Sequence, residues 1–441
     1  MSARRDRVSR RDFMKTAAAA GAAFGSFAIL GATARGAGTT LKVGLIGCGG
    51  RGSGAIGQHL AAAKVLNDKL GLGLRMEVVG AADYFEDRIK RVAAKYKLPP
   101  NRRFDGPNGY KRLLELKPDI IVTATPPLFR PVHFEASVKA GCHVFMEKPV
   151  AVDPLGCRRV IEAGELAKTK GLMVVAGTQR RHTKSYINTH AALVGEKALG
   201  QLYGGRVSWC GGHAFNREPV HAKTVDDFVR SWKVWIGLSG DHIVEQHVHN
   251  IDVANWFVGR HPLTAAGIGG RARRPAGNMY DFFSIDFDYG AGIHVHSMCR
   301  QMSGCWRWVG QEFVFEKGRT DGTRRTDTRG RIEPEKSPIP PDLPQVRAGH
   351  AQEHVNMLYY LAKGEIRYNE ARNVAESTAA AVMGRTACYT GKLIRWDEMM
   401  ENPTKNPELY NLAMRPTAED FETGDVQIPK EGVAPIPGKK A

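Results

Sequence analysis

A glycine-rich turn that follows an apolar segment constrains the fold of this chain more than any other feature. Residues 41–46 form a short apolar run typical of a buried parallel strand, and residues 53–64 have a composition typical of a helix. Between them stand Gly47, Cys48, Gly49, Gly50, Arg51 and Gly52. This is the GxGxxG pattern in the strand-turn-helix context in which the amides of a helix N-terminus can bind a pyrophosphate. The pattern predicts a Rossmann domain whose turn residues contact a dinucleotide.

The second predicted strand indicates which dinucleotide would bind. Residues 76–82 are largely apolar and end at Asp83, whose carboxylate can accept hydrogen bonds from the hydroxyls of the adenosine ribose. Because this carboxylate would repel a 2′-phosphate, Asp83 favours NAD over NADP. Its separation from the glycine turn exceeds the usual ~20 residues, which we attribute to an extended crossover at residues 67–73. Arg88 nearby keeps NADP as the alternative.

Two further strands lead into turns that we expect at the ligand-binding edge of a parallel sheet. Residues 119–124 run into a Thr-Pro turn, and residues 142–146 run into a Glu-Lys-Pro turn. The residues concerned are Thr125, Pro126, Glu147 and Lys148. A lysine held between cofactor and substrate can have its pKa lowered from about 10.4 by desolvation and serve as an acid or base. A solvated turn lysine is the alternative for Lys148.

The order of these motifs resembles one known family. The GxGxxG strand, the Thr-Pro turn, His133 in the next helix and the Glu-Lys-Pro turn are similar to the Gfo/Idh/MocA oxidoreductases, over residues 41–401. That family includes glucose-fructose oxidoreductase and inositol dehydrogenase. The resemblance implies nicotinamide-dependent hydride transfer to or from a secondary hydroxyl of a sugar, polyol or glycoside. It also implies that both turns contact the cofactor and that Lys148 is directed at the nicotinamide and the substrate.

The second half of the chain contains a dense polar group that we interpret as one wall of the site. Residues 240–257 are predicted to be helical, and Glu245, His249 and Asp252 share one face because they lie four and seven residues apart. The resemblance implies that His249 is the general base or acid, that Glu245 stands where the family has an aspartate, and that Asp252 contacts substrate. His247 is additional to the family pattern. An ordinary surface pair of Glu245 and His249 is the alternative.

A cationic run connects the two halves. Residues 179–186 resemble the family's crossover into its second domain, and we expect Arg180 or Arg181 to face the cleft and bind substrate. A solvated cationic loop is the alternative for either arginine.

The patterning along the chain predicts an α/β protein with two domains. We expect a Rossmann domain with a doubly wound parallel sheet at residues 40–178, an α+β domain with a mostly antiparallel sheet at 179–401, and a C-terminal tail at 402–441. Expected strands of the second domain are 202–212, 279–289, 292–300 and 305–316, expected helices are 350–363 and 373–390, and 318–345 is expected as loop. In the family such a sheet is also an oligomer surface, so the resemblance implies a homo-oligomer.

The N-terminus has the pattern of an export signal. Arg10 and Arg11 precede an Ala- and Gly-rich apolar stretch at residues 16–31, and an AxA cleavage site ends at Ala34. Residues 1–34 are therefore expected to be a twin-arginine signal that directs the folded protein to the periplasm through the twin-arginine machinery. A membrane anchor is disfavoured because the stretch is shorter than the ~20 residues of a spanning helix. Export of folded protein favours a tightly bound NAD.

Composition argues against several other classes of function. The formal net charge of +18 is inflated by the leader, and the remaining Lys and Arg residues are scattered without interleaved aromatics, so nucleic-acid binding is not expected. The seven cysteines include no CxxC and no zinc-like spacing. Glu245 with His249, or His294 with His296, could chelate a metal, but no third ligand has recognisable spacing and no metal is expected.

Two rival functions remain open on the sequence. Some family members use bound NAD transiently in redox-neutral cleavage or rearrangement of glycosides, and free NAD is scarce outside the cytoplasm. A non-catalytic sugar-binding protein would be suggested by loss of Lys148 or His249, but both are present. The Glu-Lys-Pro turn favours the dehydrogenase.

Overall fold

The computed structural model describes residues 40–212, 221–323, 325–326, 330–402, 404–410 and 414–434. The expected signal peptide at residues 1–34 lies outside this part of the chain. The described residues form two sheets with helices packed between and around them. Among the described helices, none is both long enough and apolar enough to cross a membrane.

The N-terminal sheet has six parallel strands in the described part of the chain, in the order β3-β2-β1-β4-β5-β6. Its strands are β1 (Thr40–Ile46), β2 (Arg75–Asp83), β3 (Arg103–Asp105), β4 (Ile120–Thr123), β5 (His143–Met146) and β6 (Val174–Ala176). The connecting helices are α1 (Gly50–Leu70), α2 (Glu86–Tyr96), α3 (Gly109–Leu114), α4 (Arg130–Lys139) and α5 (Pro154–Thr169). Strand order reverses between β1 and β4, and the carboxyl ends beside this switch point form the ligand-binding crevice of such sheets.

The long first crossover has a local explanation. The sequence predicts an extension at residues 67–73, and the structure continues α1 through Leu70, because apolar residues such as Leu66 keep one helix face buried. The helix ends at Gly71, which adopts the left-handed conformation with φ 65°. The Asn67 side chain then holds the returning chain, because its amide oxygen accepts from the Leu74 N–H at 2.7 Å.

The second sheet has nine strands among the described residues, in the order β14-β13-β12-β11-β7-β10-β9-β8-β15. Only β7 and β10 pair in parallel there, which confirms the predicted mostly antiparallel sheet. Its main strands are β7 (Leu202–Gly211), β8 (Thr264–Gly270), β9 (Phe282–Asp288), β10 (His294–Gln301) and β11 (Trp308–Phe315). The short edge strands are β12 (Gly318–Thr320), β13 (Arg325–Thr326), β14 (Gly330–Arg331) and β15 (Ile394–Arg395). The segment expected as loop at 318–345 thus includes three short strands.

The remaining helices join the two sheets. They are α6 (Lys184–His190), α7 (Val225–Arg230), α8 (Ile236–Ser239), α9 (Val248–Val258), α10 (Gly349–Ala362) and α11 (Ala371–Thr390). Helix α10 packs on α1, and α11 packs on α5 and β8. Buried Met357 and Tyr359 of α10 belong to the same hydrophobic core as Leu41 and Ile56 of the Rossmann domain. Because apolar surface is shared, the two halves are joined through a common core.

The described residues of the segment expected as a tail at 402–441 include helices that pack against the rest of the protein. It contains α12 (Pro407–Tyr410) and α13 (Ala418–Thr423). Phe421 is buried, and its ring lies edge-on to Phe129 with centroids 5.0 Å apart. Glu422 accepts a hydrogen bond from the Tyr110 hydroxyl at 2.8 Å. The apolar side chains of this segment explain the packing, which its composition did not predict.

Candidate active site

The glycine turn has the geometry that a bound pyrophosphate requires. Gly47 adopts φ +95°, and its N–H donates to the Ala82 carbonyl at 2.8 Å. A Cβ on Gly52 would lie 1.7 Å from the Gly47 carbonyl oxygen, whereas Gly49 and Gly50 face open space. Helix α1 begins here without a side-chain cap and without an acidic residue in its first turn. Its first amides are therefore available to an anion.

Asp83, at the end of β2, contacts the glycine turn. Its carboxylate is buried and accepts hydrogen bonds from the N–H groups of Cys48 at 2.6 Å and Phe85 at 2.9 Å. Arg88 Nη1 lies 3.8 Å from its Oδ1 atom. Burial raises the pKa of Asp83, while both amides and Arg88 oppose that shift. Asp83 thus shapes the turn and also lines the cavity described next.

A cavity of about 630 Å³ runs along this edge of the sheet, within the size range of cofactor pockets. From the Rossmann domain it is lined by Gly47, Gly49, Gly50, Arg51, Asp83, Arg88, Arg91, Thr125 and Pro126. From the second half it is lined by Arg230, Trp232, Lys233 and Arg274. The described chain therefore encloses a dinucleotide-sized space between both halves.

Lys148, at the end of β5, does not itself line this cavity but interacts electrostatically with Arg51 and Lys233, which do. Its Nζ atom donates to the backbone carbonyl of Glu245 and lies 3.9 Å from the Glu245 carboxylate. Burial lowers the pKa of Lys148, and the charges of Glu245 and Glu147 partly offset this. Lys233, which lines the cavity, has its pKa lowered by burial and senses the charges of both Glu245 and Lys148. The lysine of the Glu-Lys-Pro turn is thus directed at the second domain.

Glu147 and Arg51 face each other. Arg51 Nε donates to the Glu147 carboxylate, and Arg51 Nη2 donates to Glu353 of α10 at 3.3 Å. Glu147 is buried and does not line the cavity, whereas Arg51 does. Both were predicted as cofactor contacts. In the structure Glu147 instead anchors Arg51, because a buried carboxylate requires a charged partner.

His249 lies at the start of α9, close to Lys148 and Arg180. Its ring stacks on Trp209 of β7 with centroids 5.9 Å apart. Burial lowers the pKa of His249 well below its usual 6.5, and the charges of Lys148, Arg180 and His350 lower it further. The imidazole is therefore neutral at neutral pH and able to accept a proton.

The expected helix over 240–257 begins with a π-helical turn, Ile243–His247, before α9. Glu245 in this turn contacts Lys148. His247 points the other way, into the sheet, where its Nε2 lies 2.8 Å from the Ser297 hydroxyl. π-Turns of this kind often occur at functional sites.

Asp252 and Arg181 were predicted to contact substrate, but the structure pairs them with each other. Arg181 Nε donates to both Asp252 oxygens at 3.0 and 2.9 Å, and Asp252 also accepts from the Ser377 hydroxyl at 2.8 Å. Asp252 is 1% exposed. The helix face that carries Asp252 is covered by α11, so this residue is held in a buried ion pair.

Several residues of the site carried no sequence signal. Trp209, Lys233, Gln311 and His350 come from four separate segments and belong to no motif. Only the folded chain brings them to the Glu-Lys-Pro turn. Within the described ranges, no three His, Cys, Asp or Glu side chains stand close enough to hold a metal ion.

The fold combines a parallel Rossmann sheet with a second, mostly antiparallel sheet. Residues 41–178 match the sequence model of the Gfo/Idh/MocA group, described as the oxidoreductase family with an NAD-binding Rossmann fold. Residues 41–178 are therefore similar to the NAD-binding Rossmann domain of that family, in agreement with the resemblance for this part of the chain.

Curated relatives are similar to this chain in sequence, and solved structures are similar to it in fold. Inositol 2-dehydrogenase of Paracoccus denitrificans is 30% identical over 224 residues, 50% of this chain and 54% of that protein. Inositol 2-dehydrogenase/D-chiro-inositol 3-dehydrogenase of Halalkalibacterium halodurans is 27% identical over 229 residues, 50% of this chain and 53% of that protein. The matches thus span about half the length of these relatives. The WlbA dehydrogenase of Bordetella pertussis, solved with NADH and UDP-GlcNAcA, shares the fold with a TM-score of 0.61 at 18% identity, covering 81% of this chain and 99% of that one.

Proposed function

We propose that this chain is an NAD-dependent oxidoreductase that transfers hydride to or from a secondary hydroxyl of a sugar, polyol or glycoside. One observation carries the proposal: Lys148 at the end of β5 contacts Glu245 and lies close to His249, beside a dinucleotide-sized cavity. This arrangement unites a cofactor-binding edge with groups that can move a proton.

Each residue has a role that follows from its charge. Neutral His249 accepts the proton of the substrate hydroxyl, and cationic Lys148 stabilises negative charge that develops on the oxygen. The Glu245 carbonyl and carboxylate orient Lys148. The bound nicotinamide supplies the site that accepts or donates the hydride.

We propose NAD as the cofactor, held tightly. Asp83 supports NAD because its carboxylate would repel a 2′-phosphate, while Arg88, Arg91 and Arg230 line the same cavity and could favour NADP. Cofactor released by denaturing the purified protein and analysed by mass spectrometry should be NAD(H). Recovery of mainly NADP(H) would show that the arginines dominate.

The reaction type is tested by absorbance at 340 nm while candidate sugars are added to the purified protein. An accumulating band indicates net oxidation of substrate, which we expect, and Lys148→Met should not show it. Product that forms without this band would instead support a redox-neutral cycle. That second candidate is favoured by one relative, glycosyl hydrolase family 109 protein 1 of Akkermansia muciniphila, 25% identical over 174 residues, 38% of this chain and 33% of that protein.

We further propose that the protein is exported through the twin-arginine machinery and forms homo-oligomers. The leader motif supports export. Exposed apolar side chains on and beside the second sheet support self-association, since Tyr203, Ile268 and Trp306 expose 52%, 72% and 61% of their surface. Light scattering on the mature protein would measure its mass in solution.

A further inference from the structure

Arg180 and Arg181 are adjacent in the turn after β6, but their side chains have different partners. The charge of Arg181 is neutralised by Asp252. Arg180 Nη1 donates instead to the His249 carbonyl at 3.1 Å and to the Gln311 side-chain oxygen at 3.3 Å, which are both neutral acceptors. Among the residues that the structure describes, no carboxylate oxygen lies within 4.0 Å of the Arg180 guanidinium. Arg180 therefore has no direct ion-pair partner in the described part of the chain, and Asp252 acts on it only at a longer distance.

This guanidinium is held in place and lacks partners on one edge. Burial lowers its pKa, which reflects the cost of removing a charge from water. Gln311 is oriented by donating to the Tyr186 hydroxyl at 2.7 Å, so that its oxygen faces Arg180. Within the described chain, the Nε and Nη2 groups of Arg180 donate to no acceptor. Two parallel N–H groups on one edge of a guanidinium match the two oxygens of a carboxylate.

The surroundings favour an anion at the same place. Lys148 and Arg180 both act on the His249 imidazole as positive charges. The carboxylates nearby already have cationic partners, because Glu245 contacts Lys148 and Glu147 contacts Arg51. The unpaired charge thus lies within the proposed catalytic site.

We propose that Arg180 binds a carboxylate of the substrate, so that the protein acts on a sugar acid or another polyhydroxy acid in preference to a neutral polyol. This inference rests on the proposed function, since it specifies the substrate of that site. The acid's carboxylate accepts two hydrogen bonds from Nε and Nη2 of Arg180, and its secondary hydroxyl lies at His249. On oxidation the carbon loses hydride to the nicotinamide and the hydroxyl loses its proton to His249, which leaves an oxo acid.

The test measures binding by calorimetry to the full-length, NADH-loaded protein with matched pairs of probes. The pairs are D-glucuronate with D-glucose, D-galacturonate with D-galactose, and D-gluconate with D-glucitol. We expect at least one acid to bind about 10-fold or more tightly than its neutral partner. Arg180→Gln should weaken binding of that acid by about 10- to 100-fold and binding of its neutral partner by less than about 3-fold.

Two further variants separate recognition from structure. Arg180→Lys keeps the positive charge but removes the two parallel N–H donors, so this variant should lose part of the preference for the acid. Arg206→Gln removes a cation that is 56% exposed on β7 and should bind like wild type. Retained NADH fluorescence and an unchanged melting temperature report that each variant is folded. If Arg180→Gln does not fold, the same comparison is made with Arg180→Lys.

Three results would overturn the inference. They are equal binding of acids and neutral partners by wild type, undiminished preference for the acid in the Arg180 variants, and tighter binding of D-glucose 6-phosphate than of every acid. Reduction of bound NAD by a neutral sugar, without any preference for acids, would leave the proposed function standing and remove this inference alone. Failure of the protein to hold NAD(H) would instead remove the proposed function.

Discussion

At the scale of single residues, burial changes what Lys148 and His249 can do. Burial lowers the pKa of both side chains, and the positive charges of Lys148 and Arg180 lower that of His249 further. In water the histidine would be half protonated near pH 6.5. In this site it stays neutral, which suits a proton acceptor, while Glu245 keeps Lys148 charged and oriented.

Lys148→Met and His249→Ala should each lower the rate of substrate oxidation by about 10²- to 10⁴-fold, because each removes one part of the proton-transfer machinery. The double variant should be scarcely worse than the less active single variant, since effects within one catalytic unit are not additive. Both single variants should retain NAD(H), because the glycine turn is separate from both side chains. Steady-state rates within about 3-fold of wild type in either one would refute the assignment.

At the scale of elements, the glycine turn and the π-helical turn at Ile243–His247 have different structural roles. The first brings β1 and α1 so close that only hydrogen fits at Gly52. The second presents the Glu245 carbonyl to Lys148 across the two halves of the chain. Both are departures from regular secondary structure, and both lie at the proposed site.

Gly52→Ala should abolish NAD(H) binding and destabilise the fold, because its Cβ would lie 1.7 Å from the Gly47 carbonyl oxygen. Gly54→Ala in the same helix is the matched control. Its Cβ would meet only the end of the Arg51 side chain, at 3.8 Å, and alanine favours the helix over glycine by about 1 kcal/mol. Titration of NADH fluorescence and thermal melting compare the two. Normal NADH affinity in Gly52→Ala would show that the turn can move.

At the scale of the whole molecule, buried histidines link stability to pH. Burial lowers the pKa of His59 to about 4 and those of His133 and His247 to about 3. The unfolded chain binds these protons near pH 6.5, before the folded chain does. Their contribution to stability is therefore complete above about pH 6.5 and is lost as the pH falls from there toward 4 and 3.

Thermal melting of the mature protein between pH 7 and 5 should reveal this linkage. In His247→Gln the melting temperature should fall less steeply with acidification than in wild type, because one buried group that takes up a proton on unfolding is gone. His221→Gln, which changes a side chain 58% exposed to water, should keep the wild-type slope. Comparing variants removes the opposing contribution of buried carboxylates such as Asp83. Identical slopes in all three proteins would contradict the prediction.

The proposed export concerns the whole chain, and the arginine pair near the N-terminus allows a direct test. Replacing Arg10 and Arg11 by lysine keeps the charge but removes the arginine pair that the twin-arginine machinery reads. The double variant should be retained in the cytoplasm, as shown by fractionation and immunoblotting. Undiminished export would mean that another route carries the protein.

Local patterns in the sequence determined much of this protein. The glycine turn, Asp83, and the ends of β4 and β5 were located correctly because each depends on neighbouring residues and on the shared edge of a parallel sheet. Strands β7, β9, β10 and β11 and helices α10 and α11 followed from hydrophobic periodicity, whereas the glycine-containing strand β8 was not expected. Glu245, His249 and Lys148 were named together through the family resemblance.

Tertiary structure alone decided which polar side chains face the site and which form ion pairs with other residues instead. Arg180 and Arg181 are neighbours with the same side chain, yet Asp252 neutralises only Arg181, because α9 and α11 pack over that side. Glu147 likewise joins Arg51, a residue 96 positions away. A sequence pattern reports spacing along one element, whereas ion pairing and burial depend on long-range packing that brings distant elements together.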